Sequence, residues 1–379
     1  MVISLETCLG HERNIFQEGP ELAQRIVLGS PVMSTSKFNA LRHVMPNMPS
    51  ELIDLNYEPR SGLQQAIKDI CTAAETAVHK SKIIIILTVQ NLKEGKLPVP
   101  AAMATDAVHH HLINVGLRCQ ANLVIDTGSA RDTHHFAVLI SLGDTAVYPY
   151  LSYRIINDMI ISGIILDEPK VCHKAYRKGI NKGLVKILSK MGISTIASYR
   201  GAQLFEAAGI GQSVVSLCFT GVNNRIAGAC FTDFQADHQL LADRAWKPRQ
   251  PVHPGGLIKY VHGQEYHAFN PDVIQTIQRA VKTGDHKAYQ CCANLVNQRS
   301  ITTLRDLLQL REVKSIPLSE VEPLSAILQR FDTAAMSLGA LSPEAHEDLA
   351  VAMNLLGGRS NSGKGGEVQR VTVVIVALR

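Results

Sequence analysis

The chain has 379 residues, 46% hydrophobic and 19% charged, with a formal net charge of +5. That composition excludes a disordered chain and gives enough length for two domains or one large α/β domain. No sustained Lys/Arg block with interleaved aromatics is present, so nucleic acid is not expected as a partner.

The first ten residues carry Glu6 and lack a basic start and a long apolar core, so they do not read as a secretory signal. The apolar runs Ile83 to Val89 and Met159 to Leu166 are too short to span a bilayer, and a cytoplasmic protein without a membrane partner is expected. The cysteines Cys8, Cys71, Cys119, Cys172, Cys218, Cys230, Cys291 and Cys292 are scattered and form no CxxC pair. Reduced core residues are expected of them, rather than a disulfide frame or a zinc site.

The first 60 residues are irregular, with a strand at Gln24 to Leu28, a short helix at Lys37 to Val44 and a proline-rich turn at Met45 to Pro49. Regular alternation begins at Ser61, which with Gln64 makes a capping box. Leu63, Ile67, Ile70, Cys71, Ala74 and Val78 then form a helical stripe that feeds a buried strand at Lys82 to Val89. The pattern repeats as helix Ala101 to Val115, strand Asn122 to Asp126, helix Thr133 to Leu142 and strand Thr145 to Tyr148. It continues as helix Lys174 to Met191, strand Ser194 to Ala197, helix Gln203 to Ala208 and strand Val214 to Phe219. Short buried strands alternating with helices predict an α/β fold, a mostly parallel sheet with flanking helices.

A longer helical region is predicted over Arg225 to Trp246, followed by the basic, proline-rich loop Lys247 to Gly256. Asn270 and Pro271 read as N-cap and first helical residue, and helical segments continue through Leu308. Arg311 to Pro323 loses the apolar period and reads as linker. Ser342 and Pro343 then start a helix whose stripe is Ala345, Leu349, Met353 and Leu356, ended by Gly357 in the left-handed conformation. Thr372 to Leu378 reads as an isolated strand.

Few residue groups suggest chemistry by spacing alone. His109, His110 and His111, the pair His134 and His135, and His262 with His267 lack the spacing of a metal site, and no metal is expected. Asp126 and Asp132 bracket DTGSARD at a strand end, where α/β folds keep active residues; capping of the next helix and pairing with Arg131 explain them equally well. AGIGQS, Ala208 to Ser213, holds one GxG that follows a predicted helix, the wrong context for a dinucleotide loop. GRSNSGKG, Gly358 to Gly365, is one residue short of a phosphate loop, has Gly365 where the Mg²⁺-binding hydroxyl belongs and follows a helix. An NTPase is therefore rejected.

The segments ETCLGHERNIF (6 to 16), LPVPAAMA (97 to 104), SARDTHHFAVL (129 to 139), NKGLVKILSKMGISTIASYRGAQLFEA (181 to 207), KYVHGQEYHAFNPDV (259 to 273) and FDTAAMSLGALSPEAH (331 to 346) resemble the large (alpha) subunit of bacterial glutamate synthase. The resemblance implies a TIM-barrel-like or incomplete-barrel central domain over residues 1 to 320, a linker at 321 to 329, and the start of an FMN-binding (β/α)8 barrel at 330 to 379. It implies membership of an oxidoreductase that makes L-glutamate from L-glutamine and 2-oxoglutarate. Its partners are a glutaminase domain, an FMN barrel, a β-helix and a small NADPH-oxidising subunit, and it also carries an iron–sulfur cluster. By the same resemblance Met336, Ser337, Leu338, Gly339 and Ala340 form the first barrel strand and lie against the flavin, and Arg359, Ser360, Asn361, Ser362 and Gly363 belong to the substrate side. No catalytic residue is implied here.

Two departures stand out. Lys364 replaces the family's Glu, and VQRVTVVIVALR after Glu367 matches nothing in the family. Val2 follows Met1 where the family's glutaminase has its N-terminal cysteine nucleophile. The expectation is a truncated or frame-shifted fragment that links domains, contributes to an ammonia tunnel, binds no cofactor of its own and self-associates through exposed apolar surface. The alternative is a non-catalytic scaffold or pseudogene-like fragment.

Overall fold

A computed structural model describes residues 2–12, 16, 19–42, 47–248 and 256–363. The chain divides into two compact units, Met1–His253 and Pro254–Arg379.

The first unit is built on a parallel sheet in the order β3-β5-β7-β8, from Ser50–Asp54 (β3), Ile84–Thr88 (β5), Asn122–Asp126 (β7) and Ala146–Tyr148 (β8). Ahead of it stand the antiparallel pair Thr7–Leu9 (β1) and Ile26–Leu28 (β2) and helix Thr35–Arg42 (α1). Asn56–Tyr57 (β4) pairs with Leu97–Pro98 (β6). Every residue of β5 and β7 is buried, which is why both read as continuous apolar runs.

Helices Leu63–His79 (α2), Ala101–Asn114 (α3) and Thr133–Ser141 (α4) connect the strands and pack on one face against Ile85, Leu87, Leu123, Ile125 and Val147. The opposite face, Ile84, Ile86, Val124 and Ala146, is covered by Leu9, Leu28, Phe38, Leu41 and Tyr153. Period-two alternation thus splits one apolar strand between two cores. Past β8, the backbone of Pro31 and Met33 bonds Val147 and extends the sheet edge. The described residues form no closed barrel, in keeping with an incomplete one.

Helices Tyr150–Ile161 (α5) and Pro169–Met191 (α6) follow as a hairpin; α5 was not predicted, because its only signal was an apolar run at its end. The region after it differs most from the sequence reading. Ser194 to Ala197 is not a strand: Thr195 caps the short helix Ile196–Tyr199 (α7). Gln203 to Ala208 is not a helix; Glu206–Ile210 is strand β9. Val214 to Phe219 is not a strand, because Gln212–Cys218 is helix α8, burying Val214, Val215 and Cys218. Short apolar runs carry too few residues to separate the two periods. The helix expected from Arg225 begins instead at Phe231–Ala245 (α9), after strand Asn223–Ala229 (β10), which pairs in parallel with β9.

The predicted Ser61–Gln64 capping box is also absent. Ser61 Oγ donates to the Glu58 carbonyl (2.8 Å), and Gly62 is the N-cap of α2. The Gln235 side chain on α9 supplies the missing acceptor, receiving the Leu63 N–H over 2.9 Å. A long-range cap of this kind leaves no local sequence trace.

In the second unit Pro271–Thr283 (α10) packs on His286–Asn297 (α11), and Leu324–Leu328 (α12) and Pro343–Leu355 (α13) follow. Asn270 stands at the N-cap position of α10, yet its Oδ1 accepts from His267 N–H rather than from the helix. On α13, Ser342 accepts from Ala345 N–H and Gly357 takes φ +75°, both as predicted. The predicted stripe is corrected: Leu349 is 41% exposed, and the buried residues are His346 and Ala350. The predictions on Lys364, Gly365, Gly366 and Thr372 to Leu378 lie outside the described residues, as do parts of those on Lys37 to Val44, Met45 to Pro49 and Lys247 to Gly256.

Of the eight cysteines, all free, Cys71, Cys218 and Cys292 are buried and Cys119 and Cys291 are exposed. The core-residue expectation holds for the first three.

Candidate functional site

The second unit brings together the two residue groups singled out from the sequence. Residues 331–336 run beside residues 359–361 in parallel. Arg359 N–H donates to the Phe331 carbonyl (3.1 Å), Thr333 N–H to Arg359 (3.0 Å) and Met336 N–H to Asn361 (3.0 Å). Asp332 and Arg359 form a single bridge, and no strand forms over Met336 to Ala340; residues 338 to 340 are a turn leading into α13. Two hydrogen-bonded stretches without a further paired neighbour among the described residues give less ladder than a strand requires.

Glycine is required where these stretches close. A Cβ on Gly358 would stand 2.7 Å from the Phe331 carbonyl oxygen, and Gly363 takes φ +72° beside Met336. The Gly363 N–H donates to Asn361 Oδ1 (2.9 Å), which locks the loop on its own backbone. Sequence reasoning missed His346, which is 1% exposed and lies 3.3 Å from the Met336 carbonyl through Nε2. Its helical spacing of four from Ser342 was the available signal. Met336, Ser337 and Leu338 are half-buried, whereas Gly339, Ala340, Arg359, Asn361 and Gly363 are exposed, so the arrangement is one open wall.

The first unit carries a second group of polar side chains. Register places Asp54, Thr88, Asp126 and Tyr148 in one row at the carboxyl ends of β3, β5, β7 and β8, the edge where open parallel sheets bind ligands. Asp126 is 1% exposed; its Oδ2 accepts from Thr88 Oγ1 (2.8 Å) and Gln90 Nε2 (2.7 Å), and among the described residues its Oδ1 has no partner. Burial pushes its pKa up, and the two hydrogen bonds and the charges of Arg42 and Arg154 offset part of that. Asp132 does not join it. It caps α4, accepting from His135 N–H (3.2 Å), and that bond holds its pKa down.

The paired histidines take structural roles. His111 Nε2 lies 2.7 Å from Glu75 and His110 Nδ1 3.1 Å from the buried Asp106. No group of three or more metal-ligating side chains converges among the described residues. AGIGQS spans the end of strand β9, Gly211 and the first residues of helix α8, correcting the predicted context. Its Gly211 N–H is used by the Ala229 carbonyl of β10 (2.8 Å), which leaves that donor unavailable to a ligand.

His109 accepts at Nδ1 from Arg118 Nε (2.8 Å), so its ring is neutral. Burial first, then the Arg118 charge, brings its pKa down to about 3. The unfolded ring protonates below about pH 6.5 while the folded one does not, so stability falls on acidification through that window by up to about 1.4 kcal/mol per pH unit. His110 has the opposite sign: its hydrogen bond to Asp106 raises its pKa, and the stability it adds below the unfolded value is lost as pH rises through the folded one. His109→Asn, which keeps an acceptor for Arg118, is expected to flatten the acid limb of a urea-midpoint profile. An unchanged slope would refute the assignment.

The family model described as "Glutamate synthase central domain" matches residues 1–211, and "Conserved region in glutamate synthase" matches residues 267–375. The chain is 38% identical to "Glutamate synthase [NADPH] large chain" of Bacillus subtilis and 37% identical to "Ferredoxin-dependent glutamate synthase 1, chloroplastic/mitochondrial" of Arabidopsis thaliana. Each alignment covers 97% of this chain and 24% of the relative. It is 35% identical to "Glutamate synthase [NADH]" of Schizosaccharomyces pombe, over 97% of this chain and 18% of that one. The chain thus spans about a quarter of the length of the first two relatives. A solved flavocytochrome b2 variant aligns at TM-score 0.30 and 12% identity, over 59% of this chain and 47% of that one, too low a likeness to bear on the fold.

Proposed function

The chain belongs to the glutamate synthase family, and from that premise we propose that it is a connecting part of an enzyme that makes L-glutamate from L-glutamine and 2-oxoglutarate. The observation that supports this reading is the pairing of residues 331–336 with 359–361, which sets Met336 beside Asn361 and Gly363 beside Met336 and Ser337. Met336–Ala340 would hold FMN and Arg359–Gly363 would face the substrate. Small side chains at Ser337, Gly339 and Ala340 leave room for a flat ring over the backbone, and Arg359, Ser360 and Asn361 offer polar groups beside it. These residues fit one wall of a flavin pocket and do not enclose one. FMN, when bound, supplies the reducing electrons; this chain's share is to position and to shield.

The division into a connecting part over 1 to 320, a linker at 321 to 329 and a flavin part from 330 belongs to the same proposal. Helix α12 forms inside that linker, within the second compact unit. The connecting part would join a glutaminase domain to the FMN barrel and line part of the ammonia path. The buried row Thr88, Asp126 and Tyr148, with one carboxylate oxygen unclaimed among the described residues, supports that role. A β-helix, an iron–sulfur cluster and an NADPH-oxidising subunit are proposed for the whole enzyme.

The isolated chain is proposed to be catalytically silent and free of flavin, and to self-associate through exposed apolar surface. After incubation with FMN and gel filtration it should be colourless, without glutamine-dependent oxidation of NADPH. A stoichiometric yellow flavin spectrum retained through the column would overturn the proposal.

A further inference from the structure

Helix α6 carries Lys170, Lys174, Lys178, Lys182, Lys186 and Lys190, a repeat of four without a break, and no Asp or Glu between Pro169 and Met191. All six lysines are exposed. The helix buries Ile180, Leu184 and Leu188 on the same repeat, two residues out of step with Lys182, Lys186 and Lys190. Two residues are about 200° around a helix, so Lys178, Lys182, Lys186 and Lys190 lie on the side away from the core-facing residues. Each four-residue step also advances about 40°, so the row forms a ridge that winds around the helix and carries Lys170 and Lys174 to its flank. At about 6 Å of rise per step the ridge is about 30 Å long. Among the described residues none of the six makes an ion pair. Six like charges held at this spacing repel each other, and no carboxylate within the helix compensates them.

The turn that leads into α6 adds a second feature. Ile161 is 83% and Leu166 94% exposed, and Ile164 and Val171 are exposed beside them. Asp167 and Glu168 sit in the same turn. Aliphatic side chains have no role against a phosphodiester backbone, and the ridge presents no aromatic ring for a base to stack on. The two carboxylates would be driven toward a bilayer interface along with the aliphatics, at a desolvation cost that an anionic lipid surface would increase. Aliphatics rimmed by charge are instead the make-up of a protein interface.

We propose that the outer ridge of α6 and the α5–α6 turn form a docking surface for a protein with an acidic face and an adjoining apolar patch. The lysines steer and orient the partner, and Ile161, Ile164 and Leu166 supply the contact that excludes water. This inference does not depend on the flavin reading, since it uses residues of the first unit alone.

The test uses the full chain with two polymers standing in for such a face, fluorescent poly-L-glutamate and a random glutamate–leucine copolymer, at about 0.15 M salt. The copolymer should bind more tightly than poly-L-glutamate. The triple reversal K178E/K182E/K186E should weaken both by about tenfold or more, whereas reversal of Lys37, Lys68 and Lys93 should not. Ile164→Ser with Leu166→Ser should abolish only the advantage of the copolymer. Equal losses in the two triple variants would overturn the proposal, because binding would then follow net charge. So would tighter α6-dependent binding of phosphatidylserine vesicles or duplex DNA than of the copolymer.

Discussion

Replacing Arg118 by Met is expected to lower the unfolding free energy by about 3 kcal/mol, read from equilibrium urea denaturation. Arg118 donates to His109 Nδ1 (2.8 Å) and to the Gly143 carbonyl (2.9 Å), tying α3 to the turn that enters β8. Its charge also reaches Asp144, which is fully buried with Oδ2 accepting from Thr105 (2.9 Å) and Oδ1 without a partner among the described residues. Burial pushes the Asp144 pKa well up, and the guanidinium partly offsets that. Removing the cation strands the carboxyl as well as three acceptors, His109 Nδ1 and the Ala121 and Gly143 carbonyls. Asp144→Asn in the Arg118→Met background should therefore recover part of the loss, with a coupling of about 1 kcal/mol. Additive effects would show that Arg118 acts only through its hydrogen bonds. Arg118→Lys should rescue less than half, because an ammonium cannot reproduce the forked geometry. Gly143 cannot yield to relieve the site: it takes φ +121°, and a Cβ there would stand 2.4 Å from the His109 ring.

Two glycines one turn apart on α6 should respond with opposite signs. A Cβ on Gly183 would lie 2.3 Å from Thr133 Oγ1, 2.6 Å from its Cγ2 and 2.9 Å from its Cβ. Rotation of the threonine cannot clear all three, so Gly183→Ala forces α6 away from the first turn of α4 and should cost about 2 kcal/mol despite the better helix propensity. Gly179 has nothing within 4 Å of a Cβ, and Gly179→Ala should stabilise by about 0.5–1 kcal/mol. Thr133→Ala should partly restore the Gly183→Ala protein. If both alanines stabilise, the contact between α4 and α6 is looser than described.

The site was legible where its signals are local. Ser342, Pro343 and Gly357 mark the ends of α13 by cap chemistry that a few adjacent residues complete among themselves. The two groups at 336–340 and 359–363 were named by resemblance, and their adjacency appears only when Met336 N–H meets the Asn361 carbonyl across the intervening helix. His346 went unnoticed because a histidine among charged residues reads as surface, while packing buries it as fully as Ala350. The lysine ridge was hidden for a related reason. Its charges are four residues apart, so no short run shows a basic block, and only the helix gathers them into one winding row.

By itself the sequence determined the parallel α/β core from α2 to β8. There, long stripes and fully buried strands state their own period, and β7 was read to the residue as Asn122–Asp126. It also determined the family. Tertiary structure decided the region from α7 to β10, where runs of four to seven residues suit either period and the choice rests on long-range partners. Gly228 is pressed against the Gly209 carbonyl, with 2.3 Å left for a Cβ, and α8 must bury Val214 and Cys218 in the core. It decided as well that Gln235 caps α2 from α9 and that Asp126 meets Thr88 and Gln90 at the sheet edge. Hydrogen bonds and packing between residues far apart in the chain select among local conformations that differ by little in free energy.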